Sequence, residues 1–201
     1  MKSRIGLVCM VCGIVVVAVA LLLFAHNQRE AKQAGESVEG VLPKVLEHIW
    51  QNPSEEGNVG AEEIDTPMTE VEIDGYNYIG YLSIPSLDLE LPIMSDWDNA
   101  RLKIAPCRYA GSTRKGAFVI AAHNYIKHFG LLSKLELGDI VYFVDMDGVN
   151  STYEVVEVDA LAATAVEEMV SDEFDLTLFT CTYGREKRIT VRCMKAWQQK
   201  T

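Results

Sequence analysis

No charged side chain occurs between Ile5 and Ala25. That run, IGLVCMVCGIVVVAVALLLFA, is about 20 residues long, enough as a helix to cross a bilayer core of roughly 30 Å. Backbone groups in lipid must pair within their own segment, so such a stretch has to be helical. A cleaved signal peptide carries a shorter apolar region, about 7–15 residues. Apolar residues here continue past Ala18-Val19-Ala20, the one place that resembles a cleavage site, so an uncleaved anchor is expected. Lys2 and Arg4 precede the run, whereas Arg29 and Lys32 after it are diluted by Glu30 and Glu36. The bias favours an N-terminus in the cytoplasm and the bulk outside. The expected organisation is residues 1–4 cytoplasmic, 5–25 a single transmembrane anchor in contact with lipid, 26–75 a stem helix and acidic linker, and 76–201 a folded domain.

Beyond the anchor the chain is acidic, with 16 basic against 29 acidic side chains, net −13. Such a surface repels phosphate, and no basic stretch interleaved with aromatics offsets it, so nucleic acid is excluded as a partner. Of five cysteines, Cys9 and Cys12 lie within the apolar run and read as small hydrophobic filler despite their C-x-x-C spacing. Cys107, Cys181 and Cys193 remain, an odd number that cannot all pair internally. A Cys107–Cys193 disulfide has no further support. Acidic residues are plentiful, but no spacing suggests a calcium or other metal site. Asn150-Ser151-Thr152 matches a glycosylation acceptor, which matters only in a eukaryotic secretory pathway.

Apolar residues at helical spacing from Val38 to Trp50 predict a helix over 33–51, with Pro43 ending or kinking any turn before it. Pro53 to Asp74 reads as a linker. From Tyr76 the period changes to two. Strands are expected at Ile79–Pro85, Leu87–Ile93, Ala117–Ala122, Ile140–Val144, Thr152–Val158, Leu176–Cys181 and Arg188–Met194, with a hairpin at Asp147-Gly148 and a short helix around Phe129 to Leu135. Short strands at close intervals with few helices indicate a mostly β, closed or nearly closed eight-stranded barrel.

Three chemically complementary groups fall at strand ends. Cys181 closes a strand on which Thr177, Phe179 and Cys181 share one face and Leu176, Leu178 and Thr180 the other. His123 ends the apolar strand AFVIAA, and Arg188 opens the last strand, where a hairpin would bring it near Cys181. A thiol nucleophile needs an available thiolate, a proton donor for the leaving group and a donor for the oxyanion, and these residue types supply all three. On spacing alone each also has a bland reading: a buried thiol, a hydrogen-bonded surface histidine, a solvated arginine.

Around these residues the sequence resembles the sortase family. TLFTC (Thr177 to Cys181) resembles the family signature T-L-x-T-C. IGYLSIPSLDLELPI resembles its opening strand pair, FVIAAHN its histidine strand, FGLLSKLELGDIVYFV the stretch that follows, and KRITV its arginine strand. These matches run in family order over residues 76–197. The resemblance implies an eight-stranded sortase-like β-barrel displayed outside a Gram-positive cell, and a cysteine transpeptidase needing no cofactor. Cys181 would attack an LPxTG-like sorting signal of a surface protein or pilin, between Thr and Gly, forming a thioacyl intermediate. His123 would protonate the departing amine and then deprotonate the incoming one, from a cell-wall precursor or a pilin lysine. Arg188 would steady the oxyanion, and Thr180 would contribute to substrate binding, although parity sets it opposite Cys181.

Arg185 and Arg192 compete with Arg188, which is preferred because ITVRC follows it as in the family. His128 competes with His123 but reads as structural or surface. Asn124 and the 33–51 helix resemble class B members, whereas the interval Asp159 to Asp175 is too short for that class's helical insertion, so the class stays open. Two other readings remain: a cysteine peptidase releasing its acyl group to water, and a tethered, non-catalytic binding barrel in which Cys181 is buried.

Overall fold

The computed structural model describes residues 2–51, 67–182 and 186–196. Arg185 and most of the expected linker lie outside them. The chain opens with a single helix, α1 (Lys2–Gln51), whose residues from Gly6 form the one candidate membrane span among the described residues. Anchor and stem, read as separate helices, are one element, and α1 passes through Pro43 without a break. Its apolar run is exposed to its surroundings, whereas Ala34, Val38, Val41, Val45 and Ile49 are buried against the rest of the protein.

The strands are β1 (Val71–Ile73), β2 (Tyr76–Ile84), β3 (Leu89–Met94), β4 (Cys107–Ser112), β5 (Gly116–Ala122), β6 (Ile140–Asp145), β7 (Asn150–Ala162), β8 (Leu176–Cys181) and β9 (Lys187–Lys195). They run in the order β1-β2-β3-β4-β5-β8-β9-β7-β6. The first residues of β2 pair with β1 and later ones with β6, so eight strands close into a ring that β1 joins at its margin. Most neighbours are antiparallel; β5 with β8, and β3 with β4, are parallel.

Alternation along each strand sorts side chains to the two faces. Leu82, Ile84, Leu91, Ile93, Phe118, Ile120, Phe143, Leu176, Leu178 and Val191 fill the ring interior, with Phe118 and Phe143 edge to face at 4.9 Å. The β6–β7 hairpin forms at Asp147-Gly148 as the turn chemistry predicts. Gly148 takes φ +80°, and Asp145 Oδ1 accepts the N–H of Asp147 at 3.0 Å and of Val149 at 2.9 Å.

Four local expectations change. β4 was not foreseen, because Gly111 at φ +64° interrupts its alternation. β1 falls within the stretch read as linker. The helix expected near Phe129 to Leu135 is a single 3-10 turn, Leu132–Lys134. β7 runs on to Ala162 and is followed by one α turn, α2 (Val166–Met169).

Candidate active site

Strand pairing decides which of the candidate residues meet. β8 lies between β5 and β9. In the parallel β5–β8 ladder Ala122 stands opposite Thr180, so the chain leaves β5 at His123 beside the end of β8, where Cys181 is the last residue. In the antiparallel β8–β9 ladder Cys181 pairs directly with Arg188. Beyond it, Thr182 N–H donates to the Lys187 carbonyl at 2.9 Å and Lys187 N–H to Thr182 Oγ1 at 3.3 Å, fixing the base of the hairpin. The ends of β5 and β8 and the start of β9 thus meet at one edge of the ring, with His123 just past the first, Cys181 at the second and Arg188 at the third.

Cys181 and Arg188 lie on the outer face of the ring. Inward-pointing Leu176 and Leu178 belong to the main core, while Phe179, two residues before Cys181, joins Val119, Ala121, Leu161 and Met169 in a separate apolar layer outside it. Phe179 stands edge to face with Tyr109 at 5.2 Å, and Tyr109 lies 5.0 Å from Trp97. This aromatic row leads along the outer surface toward Cys181. Sequence reasoning missed Tyr109 because β4 was not read as a strand, and Trp97 because it lies in the loop before it.

Arg188 and Arg192 separate by their partners. The Arg188 guanidinium lies 5.4 Å above the Phe179 ring, with Nη1 3.3 Å from Met169 Sδ. Among the described residues it has no ion pair. Arg192 is committed elsewhere: Nη1 to Glu157 at 2.9 Å, Nη2 to the Glu168 carbonyl at 3.1 Å, and its charge over Phe174 at 4.8 Å.

The thiols separate by burial. Cys107 and Cys193 are fully buried, in different core clusters and not joined to each other. Burial pushes both up to about 12, which keeps them protonated and inert. Cys181 is only half-buried. Thr180 is buried on the inner side, away from Cys181. His128, expected to be structural or at the surface, is fully buried, and desolvation pushes it down to about 4. No group of three or more His, Cys, Asp or Glu side chains among the described residues is placed to hold a metal ion.

A sortase-domain profile matches residues 82–196. The chain belongs to the sortase family. It is 30% identical over 141 residues to Sortase A of Bacillus anthracis, covering 61% of this chain and 63% of that protein, so it spans less than two thirds of the length of the relative. Among solved structures, sortase C1 of Streptococcus suis superposes with a TM-score of 0.54 at 26% identity, over 61% of this chain and 75% of that one. Sortase A of Corynebacterium diphtheriae gives 0.55 at 20% identity over 88% and 97%, a likeness of fold. The ring of eight strands, the short helices and the long apolar N-terminal helix agree with the architecture expected of a sortase.

Proposed function

We propose that the protein is a membrane-anchored cysteine transpeptidase with its catalytic domain outside the cytoplasmic membrane. The observation that supports this reading is the strand register, which pairs half-buried Cys181 with Arg188 and ends β5 beside Thr180, one residue before His123. The Cys181 thiolate attacks the carbonyl carbon between Thr and Gly of an LPxTG-like sorting signal. The oxyanion that develops is met by the Arg188 guanidinium, whose planar fork of donors suits it. His123, as imidazolium, gives its proton to the departing amine when the C–N bond breaks, leaving a thioester on Cys181. The neutral imidazole then takes a proton from the incoming amine, which attacks the thioester and releases the thiolate. Arg188 is free for this task because its partners are a thioether and an aromatic face rather than a carboxylate. The Trp97, Tyr109 and Phe179 row offers the peptide's apolar side chains a surface beside the nucleophile.

The substrate is a surface-protein or pilin sorting signal, and the acceptor an amine such as a cell-wall precursor or a pilin lysine. The apolar run of α1 supplies the anchor, with the N-terminus in the cytoplasm. The test incubates the full chain in detergent micelles with a library of LPxTG-like peptides, with and without amines, and looks for a mass adduct on Cys181. A thioacyl adduct that amines resolve, absent from Cys181→Ala, is expected. No adduct with any peptide would sink the reading, and acid release even at high amine would make the protein a peptidase.

A further inference from the structure

α1 makes its first contacts beyond the apolar run with the loop that carries His123. Glu30 follows the end of that run by little more than one helical turn, about 8 Å along the axis. Its carboxylate accepts from Lys103 Nζ at 2.9 Å and from the Tyr125 hydroxyl at 3.4 Å. One turn further, Ala34 is fully buried and the His128 imidazole lies against its backbone. Lys127 crosses the helix at Gly35, its Cγ 3.2 Å from where a Cβ would stand, and its Nζ reaches Glu39 at 3.4 Å.

The loop between these contacts is tightly wound. Phe129 N–H donates to the His123 carbonyl at 3.1 Å, and the N–H groups of His128 and Gly130 donate to the Tyr125 carbonyl at 2.9 Å each. The Tyr125 ring lies 5.1 Å from the His123 ring and 5.6 Å from the His128 ring. It packs against both imidazoles, and its hydroxyl is tethered to α1 through Glu30.

We propose that Tyr125 is a positioning residue for His123 and that α1, through Glu30, holds Tyr125 in place, so the anchor helix is part of what orients the catalytic imidazole. The proposal rests on the transpeptidase reading for the role of His123. The physical reason is that an imidazole at a strand end rotates about two side-chain bonds, and proton transfer in both half-reactions needs one orientation. A ring packed against it removes the alternatives, and a tether from a helix holds that ring better than solvent does.

The test uses the full chain in detergent micelles and reads iodoacetamide alkylation of the Cys181 peptide by mass across pH, for wild type, Tyr125→Phe, Tyr125→Ala and Glu30→Ala. Tyr125→Ala is expected to slow alkylation at neutral pH about three- to tenfold. Peptide turnover falls in parallel, with KM within about twofold of wild type. Tyr125→Phe keeps the ring and loses the tether, and with Glu30→Ala it slows alkylation in the same direction by a smaller amount. An alkylation profile in Tyr125→Ala that superimposes on wild type overturns the positioning role; if that variant does not fold, wild-type profiles in Tyr125→Phe and Glu30→Ala overturn the tether. Alkylation needs no peptide substrate, so a missing thioacyl adduct would refute the transpeptidase reading and leave this comparison intact.

Discussion

Two arginines on one face of β9 do different work. Arg188 is half-buried over Phe179 with no carboxylate partner among the described residues, whereas Arg192 is held by Glu157, the Glu168 carbonyl and Phe174. Replacing Arg188 with lysine keeps the charge and removes the fork; kcat on a sorting-signal peptide is expected to fall about 100-fold with an unchanged melting temperature. Replacing Arg192 with alanine is expected to lower the melting temperature by about 2–4 °C, since a cation–π contact and a charged hydrogen bond are lost, with catalysis little affected. The reverse pattern would exchange their roles. Sequence reasoning preferred Arg188 on its context alone, because the partners that occupy Arg192 come from β7, α2 and the segment before β8. Their convergence depends on pairings that no local pattern encodes.

Between elements, the docking of α1 on the ring is the feature least visible in sequence. Pro43 costs the helix about 3 kcal/mol and suggests an end or a kink. Burying Val38, Val41, Val45 and Ile49 returns about 1.5–3 kcal/mol for each fully buried side chain, which outweighs that cost and keeps α1 continuous. The same docking buries His128 beside His123 and Tyr125 and pushes it down to about 4. An unfolded histidine titrates near 6.5. Above that value neither state binds the proton; below it the unfolded chain binds one that the folded protein refuses, so stability declines as pH falls from about 6.5 toward 4. Glu30 is held below its ordinary range chiefly by the hydrogen bond from Lys103. The urea midpoint of the full chain in micelles is expected to drop across that range, and His128→Phe to flatten the dependence; equal slopes in the two proteins would refute it.

At the scale of the molecule, the ring closes where β2 meets β6, and Gly80 stands at that seam. It pairs with Ile93 on one side and Asp145 on the other, at φ +144°, and a Cβ there would lie 2.1 Å from the Val144 carbonyl oxygen. Gly80→Ala is expected to destabilise the protein by about 3 kcal/mol or more and to speed amide exchange along Tyr81–Ser83 and Tyr142–Asp145. Wild-type stability in that variant would mean that the seam tolerates a side chain. The residue pattern by itself determined the apolar helix, most of the strands and the candidates Cys181, His123 and Arg188, because hydrophobic periodicity and turn chemistry act within a few residues along the chain. Only the tertiary structure decided that α1 is one helix docked on the histidine loop, that Cys107 and Cys193 are inert and apart, and that β8 runs between β5 and β9. Those outcomes depend on contacts between distant segments, and long-range burial and ring closure, not local propensity, select among them.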